Sequence, residues 1–505
     1  MSITSLPFLL FAFTLLIIYY VVPKKTQWIV LLVFSLFFYI VSSTWGIIFI
    51  LITSITTYLS TLWMSDVRKK HKDYIKQNKE LLSSAEKKEI KTRANKKRKT
   101  IMVATLILNF AILCVFKYAH FVVDQINGAL SLFSIRLINN DFDLIAVLGI
   151  SFYTFQSMGY VVDVYWETVD VQRNYFKTLL FVSFFPQITQ GPISDYSQLS
   201  TQLFKEHTFT YDNYWHGLQR VVWGIYKKMV IADFFAPCVA NLFANYNDYS
   251  SITCFVGIFM YSVQIYADFS GYMDIMCGVC KTLGIELAEN FERPYFSKSI
   301  AEYWRRWHIS LGAWFKKYIY YPIGASKWNR NLGKKAGDKF GKFVGNNLPA
   351  SLALIVVWLT TGLWHGASWS YIVWGGVNGI FIIFSMWMEP LYAKTKNFLH
   401  IKENTFRWRA FQTIRTFILV TFIKVLPEVG TLSEGLGLCD FAPLDSISNM
   451  IPFVEDRLAF LCAVVGVILM FTVSMVQRKK SLNKITAKFP DFVVIIGLLF
   501  LILQI

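Results

Sequence analysis

Apolar residues in this 505-residue chain are gathered into runs of about 15–20, close to the length that crosses a bilayer core. Such runs constrain the fold strongly, because a backbone in lipid must satisfy its own hydrogen bonds, which only helices and closed barrels do. Barrel strands would alternate apolar and polar residues over roughly ten positions, and these runs do not. Charged residues are only 16% of the chain, against 55% apolar, whereas soluble domains carry about 25% charged. A soluble enzyme, a disordered scaffold and a disulfide-stapled secreted module are thereby excluded. The chain reads as an all-α, polytopic integral membrane protein with roughly 11–13 membrane-embedded helical segments, some short enough to be re-entrant or interfacial.

The first run, Leu6–Val22, has no charged residue before it and Lys24 and Lys25 after it, the reverse of a secretory signal peptide. It is expected to be retained, with the amino terminus extracytoplasmic. Further spans are expected at Trp28–Val41, Trp45–Trp63, Ile101–Lys117, Leu144–Val162, Tyr175–Ile188, Trp215–Phe243 and Ile252–Ile285. Pro349–Leu363, Tyr371–Met388, Phe411–Val425, Arg457–Val476 and Phe492–Ile505 complete the set. The formal net charge is +18, and Asp66–Lys99, with 14 basic and 5 acidic residues, carries half of it. Three spans from an outside start place that loop in the cytoplasm, where basic residues stay. It suits anionic membrane lipids, and no nucleic-acid partner is expected. Residues 1–390 form the expected core, with 391–505 adding further transmembrane helices. Polar connections at 290–299 and 328–349 flank the most unusual stretch. The seven cysteines sit mostly in apolar runs, and Cys277-Gly-Val-Cys280 lacks a second CxxC, so no metal site is expected.

Ionisable groups inside a membrane are costly and point to function. Of seven histidines, His71 and His400 lie in charged stretches, and His120 and His216 sit at the edges of apolar runs. His207 opens an H-x-x-x-x-D spacing ending at Asp212, but in a polar loop without supporting context. His365 closes an apolar stretch in Thr360-Thr-Gly-Leu-Trp-His-Gly-Ala-Ser368. Gly362 and Gly366 form a small-xxx-small pattern that admits another helix or a substrate chain. A partly solvated imidazole there could take and return a proton near neutral pH; a histidine hydrogen-bonded between helices is the plain alternative.

His308 lies in Tyr303–Tyr318, read as one interfacial amphipathic helix. At about 100° per residue, Trp304, Trp307, His308, Leu311, Trp314, Phe315 and Tyr318 share one side. Arg305, Arg306, Lys316 and Lys317 share the other, suited to headgroups or a phosphorylated donor. Asp268 and Asp274 stand six apart in an apolar stretch and cannot form a dyad from one helix; Asp268 is expected to pair with a cation, with Arg305 a candidate.

Several blocks then resemble the membrane-bound O-acyltransferase family, and within it the alginate O-acetyltransferase-like branch. They are Gly149–Gln156, Phe184–Pro192, Asp268–Tyr272, Asn290–Tyr295, Trp304–Pro322 and Leu363–Trp369, in family order from Leu6 to about Met388. The resemblance implies that His365 is the catalytic histidine and His308 the second family histidine. Arg305, Arg306, Trp304, Trp307, Lys316, Lys317, Asp268 and Trp364 are the expected donor- or substrate-binding residues. Lys316-Lys317 departs from the basic–acidic pair usual in the family and removes an acidic group there. By the same resemblance, helices surround a thinned centre reached by a funnel from outside and a tunnel from the cytoplasm. An acyl group, acetyl by this likeness, passes from acetyl-coenzyme A or an acyl-carrier thioester to an exported cell-surface polysaccharide, often through an extracytoplasmic partner protein. No bound cofactor or metal is implied, because the thioester is already activated. An acyl carrier protein would be the partner in the nearest alternative, D-alanyl transfer to teichoic acid. A proton-coupled polysaccharide or lipid transporter, with His308, His365 and Asp268 as a relay, is the alternative of another class. The missing inverted repeat and the aromatic residues around both histidines count against it.

Overall fold

The computed structural model describes residues 1–135, 137–141, 144, 147–428, 457–477 and 491–504. Regular structure among them is helical, apart from one isolated β-bridge. Seven of the described helices are long and apolar enough to cross a bilayer. The remaining apolar segments are shorter or interrupted: Leu6–Val21 has 16 residues, and Tyr175–Ile188 divides at Phe184 into helices of nine and four. The expected span from Leu144 begins as a helix only at Ile150, residues 145–146 lying outside the described set, as does the expected end at Ile505. The chain forms two compact units, Met1–Trp215 with Val279–Leu287, and His216–Gly278 with the described residues from Ala288 onward.

The first unit contains α1 (Leu6–Val21), α2 (Gln27–Ser42), α3 (Ile47–Gln77), α4 (Ser84–Ser131), α5 (Ile150–Trp166), α6 (Tyr175–Ser183), α7 (Phe185–Ile188) and α8 (Tyr196–Leu203). Phe8, Phe11, Phe38 and Phe185 fill the space between α1, α2 and α7, with Phe11 and Phe185 edge-on at 5.2 Å. The basic segment 66–99 is not the expected loop. α3 runs on through Asp66, and α4 starts at Ser84, leaving only residues 78–83 between them. No Gly or Pro interrupts this stretch, and Lys, Arg, Glu and Ala favour helix. A capping box closes the start of α4: the Glu86 N–H donates to Ser83 Oγ (3.3 Å), and the Ser83 N–H donates to Glu86 Oε2 (2.8 Å). Buried Arg98 ties α4 to the end of α5, donating to the Tyr165 carbonyl (2.8 Å), the Val164 carbonyl (3.3 Å) and Glu167 Oε1 (2.7 Å). The guanidinium adds to the backbone N–H groups of Glu167 and Thr168, which close back on Val164 and Asp163, in satisfying the last carbonyls of the helix.

α9 (Tyr211–Tyr226) and α11 (Ser251–Thr282) contribute residues to both units. The second unit adds α10 (Asp233–Ala244), α12 (Ile300–Arg306), α13 (Ile309–Phe315), α14 (Tyr321–Ala325), α15 (Lys327–Phe340), α16 (Lys342–His365), α17 (Trp369–Trp387), α18 (Glu389–Phe398) and α19 (Phe406–Val425). Helices Arg457–Val476 and Asp491–Ile502 complete it. The expected span Trp215–Phe243 is interrupted by a six-residue π-helical turn, Lys227–Ala232. The stretch 328–349, expected as a polar connection, is helical: it forms most of α15 and the start of α16.

Candidate active site

The expected single helix over Tyr303–Tyr318 is broken at Trp307 and His308. α12 ends at Arg306, Trp307 forms an antiparallel bridge with Phe291, and α13 restarts at Ile309. His308 stands between them in the left-handed region, φ 48° and ψ 53°, a conformation costing a non-glycine residue roughly 1–2 kcal/mol. The two faces read from the sequence survive the break because each half keeps its own helical period. Trp307, His308, Leu311, Trp314 and Phe315 are buried, whereas Arg305 and Lys316 are exposed.

His308 occupies the N-cap position of α13 but its side chain caps nothing. Asn290 does that work. The Ser310 N–H donates to Asn290 Oδ1 (2.9 Å) and the Ile309 N–H to the Asn290 carbonyl (3.1 Å), satisfying two of the donors that a helix start leaves unpaired. The imidazole is thereby free to point elsewhere. It lies edge-on to Phe269 (4.9 Å) and to Trp364 (5.9 Å), 3% exposed, and neither ring nitrogen meets a hydrogen-bond partner among the described residues. Burial pushes its pKa down to about 3, with nearby His365 acting in the same direction. The ring is neutral at physiological pH, with one nitrogen to donate and one to accept.

His365 is the last residue of α16 and is half-buried. The glycine pattern before it serves a helix, not a substrate chain: a Cβ on Gly362 would lie 2.4 Å from the Tyr371 carbonyl oxygen, and one on Gly375 2.4 Å from that of Trp358. α17 therefore lies against α16 backbone to backbone. The flanks of His365 are filled, with Tyr371 stacked on the imidazole at 6.3 Å and Trp374 edge-on at 4.9 Å. Trp364 touches both histidines, 4.8 Å from His365 and 5.9 Å from His308, so residues 57 apart in sequence share one indole. Trp304 joins the cluster through Trp374 (5.5 Å) and is fixed by its indole N–H donating to Asn378 Oδ1 (3.0 Å).

Other expected site residues lie apart from this cluster. Asp268 does not pair with Arg305; it accepts from Lys228 Nζ (2.7 Å), which also holds Asp233 (2.5 Å). Asp274 is held by Lys227 (2.6 Å) and Arg220 (2.9 Å), and Arg220 also grips Glu289 with both terminal nitrogens at 2.6 Å. The two carboxylates are about 120° apart around α11, and adjacent lysines, about 100° apart, meet one each. Arg306 pairs with Glu302 (2.7 Å), and Lys316 and Lys317 sit over Tyr321 and Tyr318 at 5.5 and 5.0 Å. Among the described residues no three His, Cys, Asp or Glu side chains are grouped to hold a metal ion.

Asn290, Tyr371, Trp374 and Asn378 were not picked out from sequence, although Asn290 opens one of the resemblance blocks. Nor was Lys424, whose ammonium lies 3.7 Å above the Trp307 ring and donates to Tyr295 Oη (2.8 Å). A lone lysine in the apolar run Phe411–Val425 was the available signal.

Residues 171–335 match the model of the membrane-bound O-acyltransferase family. His308 lies inside the matched stretch and His365 beyond its end. The chain is 35% identical over 277 residues to a probable alginate O-acetylase of Azotobacter vinelandii, covering 55% of this chain and 52% of that protein. It is 32% identical over 319 residues to a peptidoglycan O-acetyltransferase of Helicobacter pylori, 57% of this chain and 56% of the relative. A teichoic acid D-alanyltransferase of Bacillus subtilis is 27% identical over 266 residues, 50% of this chain and 62% of that protein. The chain spans about half the length of the curated relatives it matches.

Proposed function

We propose that this protein is a membrane O-acyltransferase that moves an acyl group, most simply acetyl, from a cytoplasmic thioester to hydroxyls of an exported cell-surface polysaccharide, directly or through an extracytoplasmic partner protein. The observation that carries this reading is the placement of His308 and His365 against one indole, Trp364, within a single unit. In the proposed step His365 removes the proton of the acceptor hydroxyl as its oxygen attacks the thioester carbonyl. The C–O bond forms, the C–S bond breaks, and the leaving thiolate takes the proton from the imidazolium. Neutral His308 donates a hydrogen bond to the acceptor oxygen or to the carbonyl oxygen as charge develops there. The donor is acetyl-coenzyme A or an acyl-carrier thioester. Arg305, Arg306, Lys316 and Lys317 attract its negative charge.

In this reading residues 1–390 hold the chemistry and 391–505 add transmembrane helices. The amino terminus is outside and the basic segment 66–99 is cytoplasmic, as the charge distribution favours. Purified protein given labelled acetyl-coenzyme A or a charged carrier protein, with polysaccharide acceptor, tests the activity directly. Label in the polymer that depends on His365 supports the proposal; equal labelling by the His365→Ala protein overturns it. The likeness to the teichoic acid D-alanyltransferase supports a second reading, D-alanyl transfer from a carrier protein. Label entering only from a D-alanyl carrier would select it.

A further inference from the structure

Away from the histidines, α15 and α16 lie closely side by side because glycines face each other: a Cβ on Gly345 would come within 2.7 Å of Gly337 Cα and 2.8 Å of the Gly333 carbonyl oxygen. Beside this contact runs a groove of about 540 Å³ whose charged lining is Arg330, Lys334 and Lys342 against the single carboxylate of Asp338. None of the three cations makes an ion pair among the described residues. An apolar recess of about 330 Å³, walled by Tyr320, Tyr321, Ala350 and Ala353, adjoins it. Gly324 and Pro349 line both. A Cβ on Gly324 would meet no atom within 4 Å, so this residue leaves the passage between them open.

We propose that this groove holds one anionic phospholipid, with the phosphate on Arg330, Lys334 and Lys342 and an acyl chain in the apolar recess. A cationic pocket continuous with an apolar one matches an amphiphile rather than a soluble anion. Its position agrees: Lys342 begins a helix long and apolar enough to cross a bilayer, which puts the cations at headgroup level. Exposed Trp328 (65%) and Phe340 (63%) stand at either end of α15, as aromatic anchors do at a membrane surface. Six cations and one carboxylate between Lys327 and Lys342 favour the leaflet rich in anionic lipid. The site is separate from the chemistry, because Lys342 and His365 end the same helix, roughly 35 Å apart at 1.5 Å per residue, and neither histidine lines the groove.

The test uses the full-length protein in nanodiscs of phosphatidylcholine containing graded phosphatidylglycerol, with retained lipid counted by native mass spectrometry after detergent exchange. One phosphatidylglycerol should be retained in preference to phosphatidylcholine, and the triple change Arg330→Gln, Lys334→Gln, Lys342→Gln should lower that retention at least tenfold. Gly324→Leu, which fills the passage without touching a charge, should weaken retention of long-chain phosphatidylglycerol but not of a dihexanoyl analogue. Equal retention of the two lipids would overturn the proposal, as would no effect of Gly324→Leu on the long-chain lipid. Displacement of the lipid by millimolar inorganic phosphate or by acetyl-coenzyme A would assign the cations to a soluble anion and overturn it equally. Acyl transfer is not the readout, so failure here is distinguishable from failure of the proposed activity.

Discussion

Two polar clusters in the second unit are built on opposite principles. Around α9 and α11, Arg220, Lys227 and Lys228 meet Asp233, Asp268, Asp274 and Glu289 at 2.5–2.9 Å, every charge answered by another. Around Trp364, an imidazole 3% exposed carries two ring nitrogens with no partner among the described residues. An unsatisfied buried polar group costs about 1–3 kcal/mol, so its retention asks for a reason. The closed cluster has its charges matched; in the open one His308 keeps a donor and an acceptor unused among the described residues. Under the proposed mechanism, the difference separates charges that hold the helices together from groups that do chemistry.

Substitutions should keep the two clusters apart. His365→Ala should cut acyl transfer by about 10²–10⁴-fold, the usual worth of a general base, with unchanged membrane abundance and monodispersity. In the unsubstituted protein the rate should rise with pH along a limb that this variant lacks. Transfer at near wild-type rate by well-folded His365→Ala would erase the distinction altogether. In the closed cluster, Asp274→Leu leaves Lys227 and Arg220 without their shared carboxylate. It should lower stability by about 3–5 kcal/mol, read as a fall in Tm in detergent, while the pH–rate limb of the surviving protein stays in place. Loss of that limb would mean that the charges take part in the chemistry.

His308→Asn sharpens the comparison from the other side. Asparagine tolerates the left-handed backbone and keeps a donor and an acceptor, so the rate should fall about tenfold, one hydrogen bond's worth. The His308 pKa of about 3 in the folded protein lies below the ordinary value of about 6.5. Between these values the unfolded chain binds a proton that the folded one refuses, so stability present above about pH 6.5 is lost as pH falls. His308→Asn should remove that part of the acid sensitivity, and a thermal scan across this range checks it. The smallest effect belongs to the exposed cations. Lys316→Gln with Lys317→Gln should raise the donor KM about threefold at low ionic strength and less at high; salt-independent kinetics would leave them as anchors only.

Much of this was legible in the chain itself. The apolar runs gave the helical membrane class, and Arg457–Val476 begins and ends where the hydropathy does. A histidine among tryptophans, and another beside paired glycines, marked the two residues that the structure brings against Trp364. The break at Trp307–His308 was not legible, because a helical wheel cannot see the bridge to Phe291 or the cap from Asn290, both long-range contacts. The partner of Asp268 was missed for a related reason: Lys228 sits in a π-helical turn inside what reads as a plain span. The basic segment looked like a loop because its charge drew attention away from its helix-forming residues.

The cap supplied by Asn290 also bears on how such a site can change. A helix start ordinarily ties its first residue to a short list of side chains, and replacing one of them costs about 1 kcal/mol. Here that duty falls on a residue outside the helix, so the side chain at position 308 is released from capping, on a backbone that asparagine or glycine also accepts. Under the proposed mechanism, exchanges there should alter chemistry without the loss of a helix cap. The scaffold thus offers a point of high evolvability, and a natural first position for a library aimed at other acyl donors or acceptors.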